Sequence, residues 1–389
     1  MTAYAPQLGR ERSPLSHWFW QVDKPIFAAV LALIFLGVAL SFASSPAAAG
    51  RDDSIAGDFY YSWRMMAFAT AGLFTLLSAS MLSPRGVRRV ALAVFLISIA
   101  VMALLPFIGH EAKGATRWLP LGPFSFQPSE FVKPALIILA AWMFSEGQKG
   151  EGVPGMTIAF CLYGLTAVLL VIQPDIGQTV LITTAFMAVF FMAGVPFRWM
   201  LVLAGLAAAG FVAIYASVDH VRERIGTYFG GGEAADTYQL DRAHEAIAAG
   251  GLVGRGVGEG VMKRFVPDLH TDFIYSVGAE EYGLIFSMAL IALFGFVVIR
   301  GMYKSLRLAD PFEQVASAGL FVLFGQQAFI NIAVNLNLIP TKGMTLPFIS
   351  YGGSSMLAMG LTLGMALALT RRRPGAYTNP ELARAGAFA

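Results

Sequence analysis

Four polar clusters interrupt an otherwise apolar chain, and each has residue types that could do chemistry. The first is Lys113-Gly114-Ala115-Thr116-Arg117-Trp118, then Gln127-Pro128-Ser129-Glu130 and Lys133. Charges beside or inside an apolar run are expensive, so they face a cavity or one another. Lys as a point charge and Arg as a planar fork together suit a phosphate. Two blander readings compete. Long basic side chains snorkel to lipid headgroups. Glu130 and Lys133, one helical turn apart, are also spaced for an internal ion pair.

The second cluster, Gln173-Pro174-Asp175-Ile176-Gly177, reads as a tight turn. Asp175 is placed either to cap the next helix or to face a substrate. The third, Phe265-Val266-Pro267-Asp268-Leu269-His270-Thr271-Asp272-Phe273-Ile274, leads into an apolar run that carries Glu280 and Glu281. Asp272 sits where a long loop enters that run. A carboxylate half-removed from water becomes a better base. Glu280 and Glu281 cannot both face lipid, so at least one should point into the bundle. The fourth cluster runs from Pro340-Thr341-Lys342-Gly343 to Ser350-Tyr351-Gly352-Gly353-Ser354-Ser355. Small and hydroxyl residues at a helix N-terminus can direct several donors at an anion, or simply cap the helix and let it pack closely. Gly254-Arg255-Gly256-Val257-Gly258-Glu259-Gly260 mimics a nucleotide loop but lacks the strand before it and the Lys-Ser/Thr after it, so it is expected to be a flexible loop. The histidines show no zinc-ligand spacing.

The elements that must position these clusters are apolar runs at 25–42, 63–82, 87–106, 132–144, 155–172, 178–194, 197–217, 277–299, 312–336 and 351–370. Most approach the ~20 residues needed to cross ~30 Å of hydrocarbon. Phe131 and Pro134 suggest that the short fourth helix begins in the preceding loop. The expected fold is therefore an all-α membrane protein, a polytopic bundle of about ten transmembrane helices. Composition agrees: the 389 residues are 57% hydrophobic and only 13% charged, against about 25% charged in a soluble domain. Too little charge is available to cover a water-facing surface. The net charge of +3 is too small and too scattered for nucleic acid. One cysteine, Cys161, allows no disulfide. The stretch Ser45-Pro46-Ala47-Ala48-Ala49 resembles a signal-peptide cleavage site, but the run before it exceeds the ~7–15 residues of a signal core, so it is read as a retained first helix.

Arg85, Arg88, Arg89, Lys149, Arg198, Arg300, Lys304, Arg307 and Arg371-Arg372-Arg373 fall on one side if every run spans. The positive-inside rule makes that side, with both termini, cytoplasmic. Trp18, Phe19, Trp20, Trp63 and Trp199 are placed for aromatic belts. The expected organisation is a cytoplasmic segment over 1–24, a membrane domain over 25–373 and a disordered cytoplasmic tail over 374–389. Between the seventh and eighth runs, 218–276 forms a large outer loop of roughly sixty residues, long enough to imply a function of its own. A surface helix is expected there over 238–249.

Taken in order, KGATRW, QPSE, QPDIG, YQL, HTDFI followed by EE, and PTKGMTLPFISYGGSS resemble the SEDS family (shape, elongation, division and sporulation) of peptidoglycan glycosyltransferases, over nearly the whole chain. Thr-Lys-Gly before the last run is more similar to the division-type member than to the elongation-type one. The resemblance implies an enzyme that joins lipid II units into glycan strands at the outer face of the cytoplasmic membrane, at the division septum. It implies that Asp272 is required for polymerisation. The implied substrate contacts are Lys113, Arg117, Gln127, Glu130, Lys133 and Asp175 from the first two clusters. Gln239, Lys342, Ser350, Ser354 and Ser355 join them from the later ones, with His270, Glu280 and Glu281 in support. A divalent cation, Mg or Mn, is a candidate cofactor. The implied partners are lipid II and nascent glycan, a class B penicillin-binding protein (an FtsI-like transpeptidase) and other division proteins. Two departures touch the outer loop: Arg242-Ala243 stands where the family usually has Gln-Ser, and 230–237 is short and glycine-rich. The rival function is a lipid II flippase, which would need a site near the midplane on broken helices. A non-catalytic scaffold would leave the buried charges without a reason. No ATP-binding motif points to a pump.

Overall fold

The computed structural model describes residues 14–50, 57–112, 115–121, 124–150, 152–194, 235–340 and 343–373, with isolated positions between 198 and 226. A short helix α1 (Pro14–Gln21) precedes α2 (Lys24–Ala49), α3 (Tyr60–Ser80) and α4 (Pro84–Ile108). Strands β1 (His110–Ala112), β2 (Ala115–Leu121) and β3 (Phe124–Phe126) form a small antiparallel sheet in the order β1-β2-β3. Helices α5 (Pro128–Gln148), α6 (Gly155–Ile172), α7 (Ile176–Met192) and α8 (Ala235–Gly250) follow. A 3₁₀ turn over Met262–Phe265 leads to α9 (Ile274–Ser305), α10 (Pro311–Asn335) and α11 (Gly353–Leu369).

Nine of the ten expected runs lie on α2–α7 and α9–α11. The seventh falls mostly outside the described residues, as do the whole of 374–389 and much of 218–276. Among the described residues five helices, α2, α4, α6, α9 and α10, have the length and hydropathy to cross a membrane, and α7 and α11 are apolar helices of 17 residues. Helix α5 begins at Pro128, in the loop before the apolar run, as Phe131 and Pro134 suggested.

Helix starts follow local chemistry. Asp23, Ser83 and Asp310 each accept a hydrogen bond from a backbone N–H three residues on, and each is followed within two residues by a Pro. These three caps lie at the end of the bundle where the basic loops gather. There Arg300 grips Asp23 at 2.8 and 3.1 Å and Lys304 lies 3.5 Å away. Burial pushes the Asp23 carboxyl up, but Arg300, the Ile26 N–H and Lys304 together hold it below the ordinary carboxylate range. Arg88 stacks over Phe312 at 4.0 Å, and Arg371 donates to the Leu82 carbonyl at 2.7 Å. Trp18 turns inward from its expected belt position and donates to Ser80 Oγ at 2.8 Å, while Phe19 and Trp20 stay exposed.

Close packing explains the rest. Gly360 of α11 lies against the Gly72 carbonyl of α3, where a Cβ would collide, so these two backbones approach as small residues allow. The small residues Ser45–Ala49 prove to be the last turn of α2, with Ser45 Oγ donating to the Asp58 carbonyl at 2.7 Å.

Three expectations are corrected. The polar stretch before α5 is a sheet as well as a loop, because β2 pairs with β1 through its first half, up to Trp118, and with β3 through Leu119–Leu121. The 238–249 helix is longer and only half a surface helix: Leu240, Ala243 and Ala246 are buried. The expected flexible loop at 254–260 is docked. Gly283 breaks α9 with φ 78° and ψ −173°, a backbone region open to glycine alone. That break frees peptide groups, and the 251–256 segment takes them up. Arg255 N–H and Gly256 N–H donate to the Glu280 and Glu281 carbonyls at 3.0 and 3.1 Å, and Leu284 N–H and Ile285 N–H donate to Gly251 and Leu252.

Candidate active site

The four clusters converge at the end of the bundle opposite the basic loops. A cavity of about 720 Å³ opens there between α3, the sheet and the N-terminus of α11. Arg64 and Phe68 line one wall, Trp118, Ser125 and Phe126 another, and Tyr351–Ser354 a third, with Thr271 at the rim. The lining is mostly apolar with a few polar groups, the usual character of a ligand site. Arg64 is half-buried, donates to the Tyr60 hydroxyl at 2.7 Å and faces the rings of Tyr60, Phe68 and Tyr351 at 5.4, 5.7 and 5.9 Å.

Asp272 follows Thr271 directly and is half-buried. A tight turn sets it: Asp268, at φ 47°, accepts from Thr271 N–H and Asp272 N–H at 3.0 and 3.1 Å. Helix α9 begins two residues later, and its N-cap is Phe273, whose side chain makes no cap bond. His270 stacks on Tyr61 at 4.3 Å, and its carbonyl accepts from Tyr351 N–H at 2.9 Å, tying the third cluster to the fourth.

Several other expected site residues turn out to hold the structure together. Lys133 is fully buried and spends its ammonium on Glu130, Gln178 and Gln327 at 2.9, 3.0 and 3.1 Å. The ion-pair alternative at Glu130 and Lys133 is the one seen. Arg117 donates to the Gln173 carbonyl at 3.2 Å and to the Pro174 carbonyl, and lies 3.7 Å from Asp175, clamping the sheet on the α6–α7 turn. Asp175 caps α7 through Gln178 N–H at 3.4 Å. Burial pushes its carboxyl up, against the pull of Arg117. Glu280 accepts from the N–H groups of Met262 and Lys263, both at 2.7 Å, and Glu281 pairs with the Lys263 ammonium. Both glutamates are thus turned inward, and both fasten the long loop to α9. Ser350 accepts from Leu346 N–H at 2.7 Å, and Ser355 bonds Thr345 at 2.6 Å. Ser354 receives the Gln127 N–H at 3.0 Å and donates to the Ser125 carbonyl at 2.9 Å. Gln239 is half-buried on α8. Lys113 and Lys342 lie outside the described residues.

Two sets were missed. Arg64 was passed over as part of an apolar run, although a lone arginine in such a run is itself a signal. Gln327, Asn331 and Asn335 form a buried amide ladder on α10, visible beforehand as polar residues spaced four apart. Among the described residues no three His, Cys, Asp or Glu side chains gather to hold a metal. A divalent cation would thus rely on Asp272 and on oxygens brought by the substrate.

A family model described as Cell cycle protein, that of FtsW, RodA and SpoVE, matches residues 24–374. A relative from Caulobacter vibrioides, described as a probable peptidoglycan glycosyltransferase FtsW, is 65% identical over 94% of this chain and 94% of its own length. One of the same description from Allochromatium vinosum is 33% identical, again over 94% of each chain. A solved chain from a peptidoglycan synthase complex that coordinates polymerization and crosslinking superposes with TM-score 0.73 at 26% identity, covering 90% of this chain and 97% of that one. The Thermus thermophilus rod shape determining protein RodA does so with TM-score 0.66 at 27% identity, covering 90% and 96%.

Proposed function

Because this chain belongs to the FtsW/RodA/SpoVE family of cell cycle proteins, we propose that it is a multi-pass membrane peptidoglycan glycosyltransferase of the division type, polymerising lipid II into glycan strands. The observation that carries the site is the mostly apolar cavity that brings Arg64 and the Thr271-Asp272 turn to one end of the bundle. The acceptor hydroxyl oxygen attacks the anomeric carbon of the donor. The bond from that carbon to the lipid diphosphate breaks, its electron pair leaving with the diphosphate. The hydroxyl proton passes to the Asp272 carboxylate. A diphosphate leaves without an acid, so one base and cationic stabilisation suffice, unlike the paired carboxylates of glycoside hydrolysis.

Arg64 takes the diphosphate in this reading, with Lys113 and Lys342 as further cations. Arg117 and Lys133 support the site from behind, since their donors already serve the α6–α7 turn and the Glu130 carboxylate. Labelled lipid II and the purified protein with its transpeptidase partner should yield glycan polymer on a gel. Arg64→Ala should lose about 1.5–3 kcal/mol of charge-assisted contact, roughly a 10- to 150-fold fall in kcat/KM. No polymer from the wild-type pair would sink the enzyme reading, and a wild-type rate in Arg64→Ala would remove Arg64 from the site.

The partner is a class B penicillin-binding protein, in line with the synthase complex to which the fold is similar. The membrane is the cytoplasmic one, at the septum, with the basic end and both termini inside and the cavity outside. An impermeant thiol reagent should label a cysteine placed at exposed Val257 in intact spheroplasts; labelling only after lysis would reverse this orientation.

A further inference from the structure

The polymerase reading gives Asp272 the proton and leaves unexplained why an apolar helix buries amides beside it. Asn331 and Asn335 of α10 are 2% and 0% exposed. Buried amides persist where their hydrogen bonds are made; apart from a bond from Asn335 Nδ2 to the Asn331 carbonyl at 2.9 Å, these reach Asp272 and the segments beside it. Asn331 Nδ2 donates to the Asp272 carbonyl at 2.9 Å and to the Met344 carbonyl at 2.6 Å. Asn335 Nδ2 donates to the same Asp272 carbonyl at 2.9 Å, and its Oδ1 accepts from Ser276 N–H at 3.2 Å. In a regular helix the carbonyl of residue 272 would accept from the N–H of residue 276. Here Asp272 precedes the N-cap Phe273. Its carbonyl takes the two asparagine amides, while the Ser276 N–H donates to the Phe273 carbonyl at 3.1 Å as well as to Asn335, so the Asp272 carbonyl is held by α10.

The Met344 bond ties in the neighbouring segment. Gly343, at φ 58°, neighbours the Asp272 carboxylate: an added Cβ would sit in ordinary contact with it, 3.7 Å from Asp272 Oδ2. One rung up, Gln327 Nε2 reaches the Thr345 carbonyl at 3.3 Å. The third and fourth clusters, far apart in sequence, are thereby held in one register by the amides of a single helix.

We propose that Asn331 and Asn335 are positioning residues for the glycosyl transfer, holding Asp272 and the Gly343–Thr345 segment at the separation the proton transfer requires. The inference rests on the assignment of Asp272 as the base. Neither asparagine touches substrate. Their effect is on the orientation of the carboxylate, where a displacement of about 1 Å costs up to a hundredfold in rate.

The test is the lipid II polymerisation assay with the partner transpeptidase, run on Asn331→Ala and Asn335→Ala. Asn335→Gln serves as a variant that keeps the amide but sets it one methylene too far. All three should lower kcat about 10- to 100-fold with KM unchanged, normal partner co-purification and near wild-type Tm in detergent. Wild-type kcat per folded molecule in any of them would overturn the proposal. So would failure of all three to fold, which assigns the amides to the fold alone. Asp272→Asn run in parallel separates the two levels. Polymer from Asp272→Asn removes the base assignment itself. An inactive Asp272→Asn beside fully active asparagine variants removes only the positioning role.

Discussion

Asp272→Asn is expected to give folded, membrane-inserted protein that binds its partner and makes no detectable glycan. A carboxylate is intrinsically a weak base toward a sugar hydroxyl. Placement supplies what basicity does not, because a carboxylate within hydrogen-bond reach takes the proton as the new bond forms. Asparagine keeps the size and most of the hydrogen bonding but cannot accept that proton. Loss of a general base lowers rate by about 10²–10⁴. The local structure argues that the fold will survive, since the Asp272 carbonyl, not its carboxylate, takes the Asn331 and Asn335 bonds. Gel analysis of labelled polymer, with size-exclusion profiles of the same preparations, checks both halves. Normal polymerisation by well-folded Asp272→Asn would end the assignment. Glu280 and Glu281 would be poor replacements, being committed to the 258–263 segment.

The second large effect is structural. Lys133→Met should lose most of its folded, monodisperse yield, whereas Glu130→Gln combined with Lys133→Met should recover much of it. An ammonium has three donors, and all three of Lys133 are used inside the bundle. Removing it strands the Glu130 carboxylate, which is 3% exposed. Breaking a buried pair from one side costs about 3–5 kcal/mol, while replacing the whole pair by neutral groups is often close to neutral. Total stabilities of about 5–15 kcal/mol leave little room for the first change. Thermal unfolding in detergent of the single and double variants measures the difference. A single variant as stable as wild type would show that the pair does not hold α5, α7 and α10 together. A double variant that folds but polymerises poorly would show that the pair also shapes the site.

The sequence by itself determined the solvent, the helices and the family. Runs of about twenty apolar residues with 13% charge overall fit only lipid. Period and length are local properties, so nine helices sit where their runs predicted. The four motifs are contiguous strings, and strings are what a family resemblance reads. The placement of Glu130 and Lys133 one turn apart likewise announced their ion pair, because helical spacing alone brings them together.

Only the tertiary structure decided which charges line the cavity and which are buried among protein partners. Arg117 and Lys133 have the residue types of phosphate binders, yet their partners, the Gln173 and Pro174 carbonyls, Gln178 and Gln327, come from other helices. Arg64 was silent in its run and reaches the cavity wall only because α3 packs along α11. The 254–260 glycines read as a flexible loop because nothing nearby shows that α9 breaks at Gly283 and leaves peptide groups for them to meet. The Asn331–Asn335 clamp spans 59 and 63 residues to Asp272. Hydrogen bonds of that reach depend on where two helices lie in space, and no local pattern of residues encodes the distance between them.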